Sequence, residues 1–417
     1  MGTVTIVGQG YVGLPLAQAA SAAGIHVWGL DTSSSVVDAL NAGRSHVDDL
    51  SDSDIAAMLT AQFRATTDAS CVAESSTIVI CVPTPLKNGG APDLQFVESA
   101  CQMVGPHLRQ GSVVILESTT FPGTTEEVCQ PILEAASGLT HGEGFLLAFS
   151  PERVDPGRTD YGMANTPKLV GGVTPEATAA AASFYEQFID TVVVLGGTRE
   201  AETAKLLENT FRHVNIALVN EMARFCHELG IDIWEVIRGA ETKPFGFMKF
   251  TPGPGVGGHC IPIDPNYLSY EIRKELGVPF RFVELAQEVN AAMPAYVVSR
   301  IADLLNEQRK PLHGSDILIL GVTYKPNIAD QRESPAVPVA ELLLQKHAAV
   351  SFYDPYVAQW HVADQTLPRV PQLDDALAQA DLTVVLQPHD SLGLEDLAQR
   401  AACVFDTRGV IAGAHRL

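Results

Sequence analysis

The glycine-rich turn at 8–13 constrains the fold more than any other part of this chain. Its sequence, Gly-Gln-Gly-Tyr-Val-Gly, follows an apolar run at 3–7 that is typical of a buried strand, and it opens an alanine-rich helical segment. In such a turn Gly8 permits the tight bend, Gly10 lets the backbone approach a pyrophosphate, and Gly13 lets the helix pack closely on the strand. The free N–H groups at the helix start bind phosphate oxygens. The turn therefore predicts a βαβ unit that binds a dinucleotide.

An acidic residue at the end of the next apolar run indicates which dinucleotide binds. Asp31 follows Gly13 at about the spacing at which a carboxylate hydrogen-bonds the adenosine ribose hydroxyls. A carboxylate there repels the 2′-phosphate of NADP, so NAD is favoured as the cofactor. The alternative is a glycine-rich turn in a Rossmann domain that binds a different ligand.

Short apolar runs alternate with helical segments on both sides of a helical middle region. Residues 200–230 form one uninterrupted helical pattern with no proline or glycine inside, long enough to carry a dimer interface. We predict an α/β fold with two Rossmann-like, doubly wound domains joined by a long central helix. The predicted domains are 1–198, 199–310 and 311–417. The predicted strands are 4–7, 26–30, 77–82, 112–116, 145–149, 191–195, 316–321, 349–353, 382–386 and 403–406.

The charge of the chain limits its partners. The formal net charge is −22, so nucleic acid and anionic membrane surfaces would be repelled. No apolar stretch reaches the length of a membrane-spanning helix, and the N-terminus lacks a signal-peptide pattern. Seven scattered cysteines without a CxxC pair fit reduced core residues in the cytoplasm, and we predict no metal site.

Two polar patterns are candidates for chemistry. In the glycine-rich stretch 251–265, Cys260 could act as a nucleophile with Asp264 four residues on, or it could be a small apolar residue in a structural loop. On the long helix, Lys205 and Asn209 share a face and could polarise a substrate oxygen. They could equally belong to a solvated ion-pair ladder with the nearby charged residues Glu202, Glu208 and Arg212.

Several longer motifs resemble the UDP-glucose/GDP-mannose dehydrogenase family. They follow one another in the family's order from residue 1 to about 410, and their number and order exclude coincidence. The motifs are Tyr-Val-Gly-Leu-Pro-Leu at 11–16, Glu-Ser-Thr-Thr-Phe-Pro-Gly-Thr at 117–124, Phe-Ser-Pro-Glu-Arg at 149–153, Lys-Leu-Leu-Glu-Asn at 205–209, Gly-Val-Gly-Gly-His-Cys-Ile-Pro-Ile-Asp at 255–264, and Lys-Pro-Asn-Ile-Ala-Asp-Gln-Arg-Glu-Ser-Pro at 325–335.

The resemblance implies a four-electron oxidation of a nucleotide-sugar C6 alcohol to the uronic acid, with two NAD per turnover, for polysaccharide biosynthesis. Cys260 would form a thiohemiacetal and then a thioester. Lys205 and Asn209 would stabilise the oxyanion, and Asp264 would help to activate water. Thr119 and Glu152 would lie near the reacting carbon, with Glu152 as the candidate base.

Further contacts are implied by the same resemblance. Lys325 and Arg332 would supply positive charge from the second lobe to the nucleotide phosphates or to NAD, unless they are surface charges. The remaining expected cofactor contacts are Tyr11, Val12, Pro83, Thr84 and Thr119, and the remaining expected substrate contacts are Arg153, Phe250 and Gly257. A homodimer or higher oligomer built on the long helix is expected.

The sugar is predicted from two segments. Residues 242–250, with Lys-Pro-Phe, and the Ser-Pro-Glu-Arg region at 150–157 resemble the branch that acts on UDP-N-acetylglucosamine. UDP-glucose or dTDP-glucose 6-dehydrogenase is the main alternative. Two other classes are a two-electron hydroxy-acid dehydrogenase, which needs no cysteine, and a non-catalytic nucleotide-sugar sensor, which needs no nucleophile.

Overall fold

The computed structural model describes residues 2–47, 49–87, 91–154, 160–258 and 261–417. The predicted nucleophile Cys260 therefore lies outside the described residues, as does His259. Internal contacts divide the chain into two compact units: unit 1 is Met1–Glu208 with Asn266–Glu275, and unit 2 is Asn209–Pro265 with Leu276–Leu417. The division into 1–198, 199–310 and 311–417 stays a prediction.

Unit 1 is built on one eight-stranded sheet with the strand order β3-β2-β1-β4-β5-β6-β7-β8. All neighbours are parallel except β6 and β7, which run antiparallel. The six predicted strands of this half are present, and two strands that sequence did not predict, β3 and β7, complete the sheet. The strands are β1 (Thr3–Val7), β2 (His26–Leu30), β3 (Phe63–Thr66), β4 (Thr77–Ile80), β5 (Ser112–Leu116), β6 (Phe145–Phe149), β7 (Lys168–Gly172) and β8 (Val192–Val194).

Helices cover both faces of this sheet, because successive residues of each buried strand point to opposite sides. Ile6, Val79 and Ile115 pack on one side, whereas Ile80 and Leu116 pack on the other. The helices are α1 (Gly13–Ala22), α2 (Ser34–Asn41), α3 (Asp52–Thr60), α4 (Gln95–Val104), α5 (Gln130–Ser137) and α6 (Pro175–Tyr185). Several of them begin at a capping hydroxyl that satisfies a free N–H group, as at Ser33, Ser51 and Thr174.

Two helices are shared between the units. The first, α7 (Thr198–Glu228), is a 31-residue helix that matches the pattern predicted at 200–230. The second, α9 (Asp264–Leu276), begins at the predicted site residue Asp264. Asp264 thus occupies the first turn of a helix, where a carboxylate is favoured by the free N–H groups.

Unit 2 contains a second parallel sheet of five strands in the order β10-β9-β13-β14-β15. The four predicted strands are present, and the short β15 was not predicted. A small antiparallel hairpin of β11 and β12 is added. The elements are α8 (Ile233–Glu241), α10 (Arg281–Glu307), β9 (Asp316–Leu320), α11 (Ala336–Gln345), β10 (Ala349–Tyr353), β11 (Trp360–Val362), β12 (Gln365–Leu367), α12 (Leu373–Gln379), β13 (Leu382–Val385), α13 (Leu397–Arg400), β14 (Val404–Asp406) and β15 (His415–Arg416).

The predicted fold class, two Rossmann-like α/β domains with a long central helix, is confirmed. The six cysteines among the described residues are all free and buried. None of the helices described here is long and apolar enough to cross a membrane.

Candidate active site

The glycine turn has the geometry that a dinucleotide requires. Gly8 has φ +89°, and a Cβ on Gly13 would lie 1.9 Å from the carbonyl oxygen of Gly8, so neither position accepts a larger residue. A Cβ on Gly10 would meet nothing within 4 Å. Gly8 and Gly13 therefore shape the turn, and Gly10 leaves the backbone accessible at the start of α1. These residues fit a bound pyrophosphate.

Asp31 is fixed beside this turn by two backbone donors. Its carboxylate accepts hydrogen bonds from the N–H of Gln9 at 2.8 Å and from the N–H of Ser33 at 2.9 Å. The side chain thereby joins the glycine turn to the start of α2. Tyr11 and Val12, which were predicted as cofactor contacts, lie at the surface of the same turn, 36% exposed and half-buried respectively.

The other predicted cofactor residues follow the carboxyl ends of β4 and β5. Pro83 is exposed, and Thr84 is buried with its carbonyl accepting a hydrogen bond from the hydroxyl of Tyr267 at 2.7 Å. The two loops are joined where Ser118 Oγ donates to the carbonyl of Val82 at 2.7 Å. Thr119, the next residue, is half-buried. Loops at this edge of a parallel sheet are where ligands bind in such folds.

A buried charge cluster lies at the same edge of the sheet of unit 1. We use this name for Glu117, Glu152, Lys168 and Tyr185. The Nζ of Lys168 lies 3.0 Å from Glu117 Oε1 and 3.5 Å from Glu152 Oε2. The hydroxyl of Tyr185 donates a short hydrogen bond to Glu117 Oε1. Glu152 was predicted as a site residue, whereas its three partners were missed.

Burial and proximity shift the ionisation of this cluster. Burial raises the pKa of Glu117, and Glu152 adds to that rise while Lys168 opposes it. Burial alone lowers the pKa of Lys168, but the carboxylates of Glu117 and Glu152 outweigh it, so the net direction is upward. The pKa of Tyr185 is well above its usual value because the phenol is buried beside Glu117. Lys168 therefore keeps its proton.

Two of the three charged residues in the ion-pair ladder, which was the alternative interpretation of α7, have partners elsewhere in unit 1. Glu202 is buried and accepts hydrogen bonds from the N–H groups of Gly123 at 2.6 Å and Thr125 at 3.0 Å. Burial raises the pKa of Glu202 to about 7. Glu208 instead pairs with Arg153, 2.7 Å between NH2 and Oε1. Glu202 and Glu208 therefore bind loops of unit 1 and do not pair with each other along the helix.

The two polar residues predicted on α7 are both buried. Lys205 is 9% exposed, and no hydrogen bond or ion pair to its amino group is found within the described part of the chain. One turn later, Asn209 Nδ2 donates to Asp264 Oδ2 at 2.5 Å. Asp264 is 3% exposed. The structure thus joins two of the predicted catalytic residues by a direct, buried hydrogen bond.

The glycines before Cys260 pack tightly within unit 2. A Cβ on Gly257 would lie 2.7 Å from the carbonyl oxygen of Glu333, and one on Gly258 would lie 2.6 Å from the ring of Tyr324. The N–H of Gly258 donates to the carbonyl of Arg332 at 3.1 Å. Gly257 was predicted to contact the substrate, but the space beside its Cα is filled by the segment 324–335.

The predicted cations of unit 2 lie in that same segment. Arg332 is half-exposed, and its guanidinium holds the carboxylate of Asp330 with NH2 2.6 Å from Oδ2. Lys325 is half-buried, and its carbonyl accepts from the hydroxyl of Thr323 at 2.7 Å. Phe250 packs edge-to-face on Phe211 with ring centroids 5.8 Å apart.

One further cation was missed by sequence analysis. Arg408 lies against Gly253, where a Cβ would be 2.7 Å from the guanidinium, and its Nε donates to the carbonyl of Leu386 at 2.9 Å. Desolvation lowers the pKa of Arg408 to about 10. In the sequence, Arg408 is a single arginine after β14 that belongs to no motif, so sequence analysis did not single it out.

Family models match the chain in three consecutive parts. The models describe the UDP-glucose/GDP-mannose dehydrogenase family: its NAD binding domain matches residues 2–189, its central domain matches 199–292, and its UDP binding domain matches 318–413. The family resemblance stated from the motifs is thereby confirmed.

Individual relatives cover almost the whole chain. The UDP-N-acetyl-D-mannosamine dehydrogenase of Escherichia coli K12 is 37% identical over 400 residues, 93% of each chain. The NDP-N-acetyl-D-galactosaminuronic acid dehydrogenase of Ralstonia nicotianae is 34% identical and covers 98% of this chain and 96% of its own. The solved structure of UDP-D-ManNAc dehydrogenase from Pyrococcus horikoshii has a TM-score of 0.89 at 32% identity, covering 99% and 98% of the two chains.

Proposed function

Since this chain belongs to the UDP-glucose/GDP-mannose dehydrogenase family, we propose that it oxidises the C6 hydroxyl of a UDP-N-acetylhexosamine to the carboxylate in two steps, with Cys260 as the nucleophile. The chain is an NAD-dependent nucleotide-sugar dehydrogenase. The sugar, the four-electron course and the residue roles are the parts of the proposal that experiment must test.

The observation that carries the proposal is the buried hydrogen bond between Asn209 and Asp264. A carboxylate and an amide with little contact with water are expensive to bury unless they serve a ligand or each other. Both lie next to chemically useful residues in the sequence, Asn209 one turn after Lys205 and Asp264 four residues after Cys260. This pairing supports a site for oxyanion and water chemistry.

Each residue has a role that its chemistry supports. Lys205 and Asn209 donate hydrogen bonds to the oxygen on which negative charge develops. Cys260 adds to the aldehyde and later leaves as water attacks the thioester, a step that Asp264 assists. Glu152 accepts the proton from the substrate hydroxyl. NAD, when bound, removes a hydride from the sugar carbon at each oxidation.

The residues that hold the cofactor and the nucleotide are proposed by the same reasoning. The glycine turn at 8–13 and Asp31 hold NAD, with Pro83, Thr84 and Thr119 at the neighbouring strand ends. Lys325, Arg332 and Arg408 supply positive charge in unit 2 that suits the two phosphates of a nucleotide sugar. These cations let a chain of net charge −22 bind an anionic substrate.

The identity of the hexosamine is the most specific part of the proposal. The sequence segments favoured UDP-N-acetylglucosamine, whereas the relatives are named for UDP-N-acetyl-D-mannosamine and for an N-acetylgalactosaminuronic acid. We therefore propose an N-acetylhexosamine with the manno epimer first and the gluco epimer second. We also propose that the enzyme acts in the cytoplasm, in polysaccharide biosynthesis.

A substrate panel with product stoichiometry tests this proposal. Purified protein is incubated with NAD and each of UDP-N-acetylmannosamine, UDP-N-acetylglucosamine, UDP-glucose and dTDP-glucose, and NADH is followed by absorbance. We expect two NADH per sugar consumed, with the fastest turnover on an N-acetylhexosamine. One NADH per sugar would refute the four-electron course, and fastest turnover on a glucose nucleotide would replace the substrate by the main alternative.

A cysteine pair of variants tests the nucleophile. Cys260→Ser should lower steady-state turnover by at least about a hundredfold, because an alkoxide or hydroxyl is a poorer acyl carrier than a thiolate. Cys403→Ser, at a buried cysteine beside β14, is the matched control and should leave turnover nearly unchanged. Full activity of Cys260→Ser would favour a two-electron dehydrogenase, and binding of the sugar nucleotide without any turnover by the wild type would favour a sensor.

A further inference from the structure

The buried charge cluster exists because β7, with its parallel neighbour β8, runs opposite to the other strands of the sheet. Strands β5 and β6 end just before Glu117 and Glu152, at the carboxyl edge of the sheet. Strand β7 runs antiparallel to β6, so its first residue, Lys168, begins at that edge. The N–H of Lys168 donates to the carbonyl of Thr191 at 2.9 Å, beside β8. Lys168 is thus held in a strand, whereas Glu117 and Glu152 lie in loops at the same edge of the sheet.

The members of the cluster differ in exposure. The side chain of Glu117 is completely buried, that of Lys168 is 4% exposed, and that of Glu152 is 13% exposed. Tyr185 is completely buried. Glu152 is therefore the member with the most access to the surface. Its other carboxylate oxygen, Oε1, accepts a hydrogen bond from the N–H of Val154 at 2.5 Å, which fixes its orientation.

We propose that Lys168 is a positioning residue that holds and orients the Glu152 carboxylate through their ion pair, while Glu117 and Tyr185 hold Lys168 in place. This inference rests on the proposed function, in which Glu152 is the base. The lysine makes no contact with reacting atoms in this role; it acts through the carboxylate.

The charge balance of the cluster supports a role beyond stability. A buried ion pair contributes little net stability because removing both charges from water is costly. Glu117 alone would neutralise Lys168, and its short bond from the Tyr185 hydroxyl completes that pair. The second carboxylate leaves the cluster with one net negative charge, which a purely structural pair does not need. That surplus charge is placed on the most exposed member, Glu152.

In the described part of the chain, the charged and titratable neighbours of Glu152 come from three other strands or strand ends. Lys168 on β7 is the cation that faces it. Glu117 after β5 and the thiol of Cys81 after β4 are acidic neighbours, and burial and the nearby carboxylates raise the pKa of that thiol well above its usual value. The guanidinium of the adjacent Arg153 is occupied by Glu208. Among the described residues, Lys168 is thus the cation that pairs with Glu152.

Two substitutions should move the pH profile in opposite directions. Lys168→Met removes the cation and leaves Glu152 beside Glu117, so the acid limb of the kcat/KM profile should move to higher pH by about one unit or more. Glu117→Gln leaves Glu152 as the carboxylate of the cluster that pairs with Lys168, so the acid limb of the kcat/KM profile should move to lower pH. The measurement is the initial rate of NADH formation on the best substrate of the panel between about pH 5 and pH 9.

Further variants separate positioning from folding. The double variant, Lys168→Met with Glu117→Gln, removes both buried charges, so its thermal midpoint should recover relative to Lys168→Met. Its acid limb should lie above that of Glu117→Gln, because these two variants differ only in the cation beside Glu152. Lys168→Arg should restore most of the wild-type profile. Lys310→Met, at an exposed lysine paired with Asp381, is the matched control and should move neither quantity.

The outcomes distinguish the two proposals. An acid limb that stays unmoved in Lys168→Met and in the double variant, with an active enzyme, would overturn the role of Lys168 and leave the proposed function standing. Wild-type stoichiometry other than two NADH per sugar would overturn the proposed function by itself. Equal acid limbs in the double variant and in Glu117→Gln would show that Lys168 serves folding alone.

Discussion

At the scale of single residues, the bond between Asn209 and Asp264 gives each of two buried polar side chains a partner. The Nδ2 of Asn209 donates to Oδ2 of Asp264 at 2.5 Å. This bond fixes the orientation of the Asn209 amide, and with it the direction of the remaining amide donor and acceptor. It also gives the Asp264 carboxylate a hydrogen-bond donor that is buried away from water. Loss of either partner should therefore affect both activity and stability.

Asn209→Ala should lower kcat by roughly a hundredfold, the usual effect of removing one oxyanion donor, and the free energy of unfolding by about 1–3 kcal/mol. Turnover is measured with saturating NAD, and stability by urea unfolding. Asn215→Ala is the control, because that amide bonds only the backbone of α7 at Phe211. Equal losses in the two variants would contradict a special role for Asn209.

Sequence analysis singled out Asn209 and Asp264 one by one, did not predict their hydrogen bond, and missed three of the four residues of the buried charge cluster. The i,i+4 spacing of Lys205 and Asn209 places both on one face of a helix, and Asp264 follows the cysteine within a few residues, so each was found from a local pattern. The cluster joins loops after β5 and β6 with the start of β7. Its members lie close together only because β7 runs antiparallel to β6, and no residue spacing in the sequence indicates the direction of β7.

At the scale of elements, α7 and α10 are joined in unit 2 by polar side chains as well as by apolar ones. Asn220 Nδ2 donates to Asn290 Oδ1 at 2.9 Å, and its oxygen accepts from the N–H of Gly253 at 2.9 Å. Asn290 also lies beside His213, 3.5 Å from Nδ1. Paired amides of this kind fix the register of two helices, because sliding one of them would leave buried polar groups unpaired.

The histidine of this helix pair should make unfolding sensitive to acid. Burial lowers the pKa of His213 to about 4 from its usual 6.5. The folded state therefore binds fewer protons than the unfolded state between these values, so the stabilisation is complete above about pH 6.5 and is lost as the pH falls towards 4. The loss amounts to about 3 kcal/mol.

His213→Gln tests this prediction, because glutamine does not titrate. Urea unfolding at about pH 7.5 and about pH 4.5 should show a smaller difference in unfolding free energy for this variant than for the wild type. His415→Gln, at an exposed histidine of β15, should keep the wild-type difference. The idea fails if both variants lose the same share of the acid sensitivity.

The elements themselves were predictable to different degrees. The bounds of α7 were anticipated within two residues because its 31 residues contain no breaker. Strands β3 and β7 were missed because each carries a charged residue, and β7 ends in two glycines, which are depleted in strands. Their burial is decided by neighbours that are distant in sequence.

At the scale of the whole molecule, α7 presents an apolar stripe that a monomer would leave in water. Five large apolar residues spaced at three, four or seven positions along one face are 39–72% exposed. They are Phe211, Leu218, Met222, Phe225 and Leu229. A second copy of the chain is the expected occupant, because a helix stripe of this kind packs on its own symmetry mate in a closed dimer.

Phe225→Glu should therefore shift the protein from dimer to monomer. A charge at the centre of a desolvated interface costs several kcal/mol, enough to dissociate a dimer at micromolar concentration. Sedimentation equilibrium of the wild type and the variant measures the change. Leu276→Glu, at a position outside α7 that is more exposed than Phe225, is the control and should remain dimeric. A monomeric wild type would refute the dimer.

The reversed strand β7 has a consequence for how such a protein can diversify. Loops at the carboxyl edge of a parallel sheet tolerate changes of length and sequence more readily than strands do. Lys168, however, is held by the ladder of β8 and not by a loop. Evolution could therefore exchange the loops to accept a different sugar while the lysine beside Glu152 kept its place. Substrate range and proton chemistry would then be separately inherited properties of one sheet edge.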